Sequence, residues 1–531
     1  MNRLIKFAFF FSAVLIFGSC TDLEDTLEDA LVEEFSDDGV SLGGGSGSGA
    51  TLASYNKLRD GSAGHGSYFS VMYSSSDEGA ITQKGGDWFD GGIWIRMHRH
   101  TYGSASGPLN DTWNNAYSGI GECNTALGGT ALDAAGTAEV RVIRAFHYFR
   151  LLDLFGRVKI VTETATDPPQ ATRQQVFDFV ESELLDVLGV GAVTGTMDLS
   201  GSDLGTDPTP TRINQFAAMG LLAKLYLNAE VYTGTPRWQE AEDAAQYILD
   251  NGPYQLCGDG CTVPNLGRRP AVASDPENLE GYAAIFAPNN ENNPEIIWSI
   301  FYDESGATGM NFAQMTLHYG SQLTWALQDQ PWNGYVALEE FYNMYDDNDL
   351  RKEANFIAGP QTDYNGDPVI DYASDDADLQ LSFTPAVNEL EPNALREGGV
   401  RMGKYSFKIF QRPEMDNDYV VMRLGQVHLI HAEAAARNAG DWNFALPEVN
   451  VLRDRAGLPA LTSMDAQTFL DERGKEMYQE SVRRTDLIRF DDWGRAWWEK
   501  PGHSDPNLSL MPIPQPQIDA AEGSLTQNPG Y

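Results

Sequence analysis

The chain has 531 residues, 42% of them hydrophobic, with 76 acidic against 36 basic side chains and a formal net charge of −40. That apolar fraction supplies a large core, and length alone allows several domains. The acidic excess excludes nucleic acid and anionic membrane surfaces as partners, since both would repel it. Only 10 of the basic residues are Lys, and acid excess with few lysines fits a high-salt environment, where counter-ions screen self-repulsion.

Arg3 and Lys6 precede an apolar run from Phe7 to Phe17, broken only by Ser12. A bilayer span takes about 20 apolar residues, so this run has the length of a signal-peptide core instead. Gly18 and Ser19 then lead to Cys20. LIFGSC resembles a bacterial lipobox, in which Cys20 is acylated and becomes the mature N-terminus; Phe17 stands where Leu is more usual. An ordinary signal peptide with a chance cysteine is the alternative. Residues 1–19 read as the signal peptide and 20–50 as a tether. Nine acids crowd the stretch from Asp22 to Asp38, and their repulsion keeps it extended. Gly39–Ala50, GVSLGGGSGSGA, has flexible-linker composition. As a coil, residues 21–50 span roughly 30 Å r.m.s..

Helical periodicity dominates 51–254. PLNDTWNNAYSGIGECNTAL opens with Asn110 or Asp111 as the expected cap. EVRVIRAFHYFRLLDLF and VFDFVESELLDVL follow with broad apolar faces. RINQFAAMGLLAKLYLNAEVY has Phe216, Met219, Ala223 and Tyr226 at helical spacing, and Ala217, Gly220 and Ala223 invite a neighbouring helix to approach. After TGTPR comes WQEAEDAAQYILDNG. The pair makes a helix–turn–helix unit of roughly 34 residues, the tetratricopeptide period. A second helical block, 416–531, contains VVMRLGQVHLIHAEAAARNAG and LDERGKEMYQESVRRTDLIRF. Residues 255–415 are rich in Gly, Pro, Asn and aromatics, with short strand-like runs such as EIIWSIFYD, where Trp298 reads as core. The expected fold is mainly α. Tetratricopeptide-like helix pairs from both blocks pack as one domain over 51–531, with a large irregular, loop-rich insertion containing short strands.

Four cysteines are too few for a disulfide-built scaffold. Cys257 and Cys261, in CGDGC, read as a local disulfide in an exported protein. A zinc site there needs two more ligands, and the nearby sequence offers no Cys or His. Cys123 reads as a small buried hydrophobe.

The order of segments SSSDEGAITQKGGDWFDGGIWIRMHRHTY, WNNAYSGIGECN, RAFHYFRLLDLFGRV, MRLGQVHLIHAEAAAR, ERGKEMYQESVRRTDLIRF and MPIPQPQIDAAEGSLTQNPGY resembles the SusD/RagB family of outer-membrane lipoproteins. The acids after Cys20 are similar to the surface-export signal of Bacteroidetes lipoproteins. The resemblance implies four tetratricopeptide-like helix pairs, with the irregular segment facing the ligand. It implies a cell-surface, lipid-anchored protein that binds glycan, or peptide in some members, and delivers it to a SusC-like TonB-dependent transporter. It implies binding without catalysis and without a cofactor.

The residues agree on binding. No GxSxG elbow, no HExxH motif and no distinguishable carboxylate pair marks a lipid-anchored glycosidase. A glycan site needs flat aromatic faces beside amide, Arg and carboxylate groups. Trp88, Trp94 and Arg96 in GDWFDGGIWIR, and Trp325, Trp332 and Asn333 in LTWALQDQPWNGY, supply them. Trp88, Trp325 and Trp332 are the expected stacking platform, with core packing the alternative for each. These Trp-bearing loops favour glycan over peptide. His98 and His100 would share one side of a strand, but no acidic third ligand for a metal is evident nearby. His428 and His431 read as core. Asp363, Asn365, Asp367 and Asp371 alternate somewhat as in a calcium loop, although Pro368 departs from the pattern and no glutamate closes it.

Overall fold

The computed structural model describes residues 49–373 and 378–531. The signal segment, Cys20, the acids after it and the linker as far as residue 48 lie outside the described residues. The described chain is mainly α. Helices Gly107–Gly128, Ala134–Leu154, Arg173–Leu188, Gln215–Leu227, Trp238–Asn251 and Leu424–Ala439 pack in succession, with Leu446–Arg455 against the last.

Local chemistry sets their ends. Thr172 and Gln175 form a capping box. Asn214 accepts from the N–H groups of Phe216 and Ala217, and Asp133 accepts from Gly136. The first long helix begins at Gly107, not at Asn110 or Asp111, with Pro108 in its first turn, where the missing N–H costs nothing. Gly440 ends helix Leu424–Ala439 at a φ of 66°, the left-handed conformation that glycine adopts without penalty.

The two helical blocks meet where Trp238–Asn251 packs along Leu424–Ala439. Asn438 donates to Glu242 there, and the Arg437 guanidinium lies over the Trp238 ring. A second join is a strand pair: Ile296–Ile300, from the irregular segment, runs antiparallel to Tyr419–Arg423. Trp298 is buried in that strand and meets Phe146. Gly220 admits the Met422 side chain, which a Cβ would meet at 2.8 Å. The close neighbour of this helix is thus a strand residue, not only another helix.

Residues 255–415 hold short helices and two-stranded ladders. Glu295 of this segment joins a buried charge cluster with the second helical block. Arg423 pairs with Glu295, Glu476 and Glu480, all buried, and Arg455 also binds Glu295. Removing one partner of such a cluster strands a charge in the core. Cys257 and Cys261 form a disulfide with Cα atoms 5.2 Å apart. Cys123 is buried, and burial pushes its thiol up to about 12.

His98 and His100 do not lie on a strand. His98 ends helix Ile93–His98, bonded to the Trp498 carbonyl, and His100 stacks on Trp493 at 3.8 Å. Both are buried, and desolvation holds His98 down at about 4 and His100 at about 2. His428 and His431 are half-buried rather than core, both reaching Glu448.

Candidate functional site

Strand Gly79–Ile81 pairs antiparallel with Tyr335–Ala337, with Ile81 opposite Tyr335. Antiparallel pairing sets the chain leaving Ile81 beside the chain arriving at Tyr335. Trp88 follows the first strand and Trp332 precedes the second, so this ladder brings the two tryptophans together.

The contact is close. The Trp88 indole N–H donates to the Trp332 carbonyl at 2.6 Å, and the rings lie 6.4 Å apart at 76°. Gly334 makes room: a Cβ there would stand 2.2 Å from the Trp88 ring and 2.7 Å from the Met315 carbonyl. The Trp332 and Gly334 N–H groups bond to Gln314 and Met315, which pins the loop to helix Phe312–Thr316. Trp332 is 48% exposed and Trp88 is half-buried.

A polar frame supports the pair from behind. His65 lies edge-on to Trp88 at 5.1 Å. Its Nδ1 meets the Tyr335 hydroxyl and its Nε2 meets Asp90, each at 2.9 Å. Asp90 also accepts from the Trp94 indole. The His65 hydrogen bond, opposed by burial and helped by Trp94, holds the Asp90 carboxyl below its ordinary value. Buried Lys84 donates to the carbonyls of Asn333 and Gly334, and desolvation pushes its ammonium well down.

Hydrogen-bonding groups surround the rings. Arg396 pairs with Asp87 at 3.1 Å. Its guanidinium also reaches the Ala373 carbonyl, beside Tyr372. Tyr372 is 59% exposed, and its hydroxyl accepts from Gln330. One surface therefore carries two exposed aromatic rings, a half-buried third, an Arg–Asp pair and an amide. That set can stack the C–H face of a ring and bond its hydroxyls.

Three expected members do not belong to this surface. Trp94 is 1% exposed, its ring in the core and its N–H held by Asp90. Asn333 is buried at a φ of 56°; its amide donates to the Arg396 carbonyl and accepts from Arg401, so it is a post that shapes the loop. Trp325 sits on helix Ser321–Trp325, edge-on to Phe407, in the wall of a separate cavity that neither Trp88 nor Trp332 lines. Arg96 is exposed, with its guanidinium on the Gly91 carbonyl. His65, Gln330, Tyr372 and Arg396 were not foreseen, and no signal in the sequence joins positions so far apart.

The calcium pattern does not converge. Asp363 uses one carboxylate oxygen to accept from the N–H groups of Asn365 and Asp367. Asp371 is buried, 3.4 Å from His318. Among the described residues, no group of three or more His, Cys, Asp and Glu is placed to hold a metal ion.

Known proteins share this architecture. The SusD family matches residues 288–531. The starch-binding protein SusD of Bacteroides thetaiotaomicron is 24% identical over 443 residues, 74% of this chain and 72% of that protein. The surface glycan-binding protein A of Bacteroides uniformis superposes with a TM-score of 0.68 at 20% identity, covering 90% of this chain and 98% of that one. The corresponding Bacteroides thetaiotaomicron protein, in complex with laminarihexaose, gives 0.67 at 20% identity over 90% and 98%. At such identity the structural likeness is one of fold. The matching family segment, the curated relative and the shared fold agree in marking this chain as similar to the SusD family.

Proposed function

We propose that this protein is a cell-surface glycan-binding lipoprotein. It captures an oligo- or polysaccharide on the Trp88–Trp332 surface and delivers it to a SusC-like TonB-dependent outer-membrane transporter. The observation that carries the reading is the exposed Trp332 ring, braced by Trp88 and flanked by the Asp87–Arg396 pair and the Gln330–Tyr372 contact. Relatives support the ligand class: one is named for starch, and a structural neighbour holds laminarihexaose. The protein binds and does not catalyse.

Anchoring rests on Cys20 and the acids after it. No described helix is long and apolar enough to cross a membrane, and acyl chains on Cys20 would supply the attachment. Cys20→Ala should abolish lipid labelling and release the protein from outer membranes; continued membrane partitioning would refute the anchor.

The binding test is calorimetric titration of wild type and Trp332→Ala with laminarihexaose, maltohexaose and a peptide panel. Trp332→Ala should weaken saccharide binding by about 1–3 kcal/mol, the scale of stacking on one aromatic side chain. Binding of peptides but no saccharide would replace glycan by peptide as the cargo.

A further inference from the structure

Trp325 lines a cavity of about 820 Å³, within the roughly 300–1,000 Å³ typical of small-molecule sites. Tyr282 and Phe407 also line it. Its rim includes Asp259, inside the loop closed by the Cys257–Cys261 disulfide, and the hairpin Thr262–Pro264 with Asn278–Glu280 supplies Glu280. None of this belongs to the Trp88–Trp332 surface.

The backbone around Trp325 is unusual in the way the backbone around the first pair is. Asp90 and Asn333, beside Trp88 and Trp332, have φ values of 49° and 56°. Ala326, directly after Trp325, has a φ of 49°, and Phe410 has one of 60°. Non-glycine residues enter this region at a cost, and such strain collects at ligand clamps. Phe410 is strained and 54% exposed, so core packing does not explain it. Its position is nonetheless fixed. Its N–H donates to the Trp325 carbonyl at 2.9 Å, its carbonyl accepts from Gln328 at 3.1 Å, and Tyr364 lies 5.5 Å from its ring.

The charges define the ligand. The basic groups of the cavity are already matched: Arg269 with Asp275, Lys404 with Glu480, Arg455 with Glu295. Asp259, Glu280 and Glu353 line it, exposed, and make no ion pair among the described residues. An anionic ligand would meet uncompensated carboxylates. A neutral polyhydroxylated one would donate hydroxyl hydrogens to them while stacking on Trp325.

We infer that this cavity is a second saccharide-binding site, selective for neutral sugars, in which Trp325 stacks a sugar ring and Phe410 with Tyr364 receives the chain beside it. The inference rests on the glycan reading for its ligand class and on separate residues for its location. Two sites on one molecule would hold a long polysaccharide at two points, which raises retention without tightening either contact.

The test uses the full mature chain, titrated calorimetrically with laminarihexaose, maltohexaose and cellohexaose, and with hexagalacturonate as the anionic probe. Wild type should bind two equivalents of at least one neutral hexasaccharide and no hexagalacturonate in the cavity. Trp325→Ala should lose one equivalent, by about tenfold or more in affinity, as for loss of an aromatic stacking partner, and keep the other. Trp332→Ala should do the converse. Phe410→Ala should weaken only the Trp325-dependent equivalent, with an unchanged melting temperature, which guards against misfolding of Trp325→Ala. One equivalent that Trp332→Ala abolishes and Trp325→Ala and Phe410→Ala leave intact overturns the second site and spares the first. Cavity binding of hexagalacturonate overturns the neutral selectivity. Absence of any saccharide binding overturns both sites.

Discussion

The indole N–H of Trp88 donates to the main-chain carbonyl of Trp332 across 244 positions of sequence, at 2.6 Å. One ring thus fixes the backbone that carries the other. The bond exists because the Gly79–Ile81 and Tyr335–Ala337 strands pair, and because Gly334 has no side chain where the Trp88 ring must pass.

Gly334→Ala should therefore act as a binding mutation although it touches no ligand. Its Cβ would stand 2.2 Å from the Trp88 ring and 2.7 Å from the Met315 carbonyl, and backbone cannot yield as a side chain can. We expect saccharide affinity to fall by about 1–3 kcal/mol, as for loss of a stacking ring, with Trp88 fluorescence shifted towards that of an exposed indole. Wild-type affinity together with an unshifted spectrum would show that Trp88 does not need this space.

Asn333 and Trp94 should behave as structural residues. Asn333→Ala removes the acceptor of buried Arg401 and the donor to the Arg396 carbonyl. Neither group is left bare, because Arg401 also donates to the Arg396 carbonyl, so the expected cost is that of the lost hydrogen bonds, about 0.5–1.5 kcal/mol each. Trp94→Ala empties a core site and should cost about 3–5 kcal/mol. Denaturant melts check both; a binding loss from Trp94→Ala at unchanged stability would return it to the ligand surface.

Acid should unfold the scaffold through Glu433. Burial opposes its ionisation, but Arg489, Arg437 and Arg473 outweigh burial and hold its carboxyl at about 2, against an ordinary 4.5. A depressed carboxyl contributes stability that is complete above the unfolded value. That stability drains away as pH falls from about 4.5 to about 2, and its size is on the order of 3 kcal/mol. Glu433→Gln should be less stable at pH 7 and should lose less on acidification. Parallel stability–pH curves for the two proteins would refute the assignment.

Glu78 acts with the opposite sign. Desolvation raises its carboxyl from 4.5 to about 8. A raised carboxyl withdraws stability as pH climbs from about 4.5 to about 8, because folding then holds a proton that solvent would remove. Glu78→Gln mimics the neutral form. It should match wild type near pH 4.5 and exceed it by a few kcal/mol near pH 9. A mutant less stable at every pH would mean that Glu78 is ionised in the fold.

Salt should stabilise the whole molecule. With a net charge of −40 and only 10 Lys, self-repulsion is a standing cost that counter-ions screen. Melting temperatures should rise from low to molar salt. A flat or falling response would remove the high-salt reading and leave the fold untouched.

The helical scaffold was legible because helix formation is local. Apolar spacing announced the elements, whereas the expected cap at Asn110 or Asp111 fell inside a helix, and the caps at Thr172 with Gln175 and at Asn214 emerged with the structure. The order of segments was enough to carry the resemblance to the SusD family. The sequence also marked Trp88 and Trp332 as candidates, since aromatics in Gly- and Asn-rich loops lack a helix face to bury. It could not tell Trp88 from Trp94. They stand six positions apart with one turn of 3₁₀ helix between them, yet one ring lies on the surface and the other in the core. Nor could it part Trp325 from Trp332, neighbours in sequence on different walls. Those distinctions, and the arrival of Tyr372, Arg396 and His65 beside the tryptophans, follow from strand pairing and packing between distant segments. Such contacts depend on where the whole chain closes on itself, which no local pattern encodes.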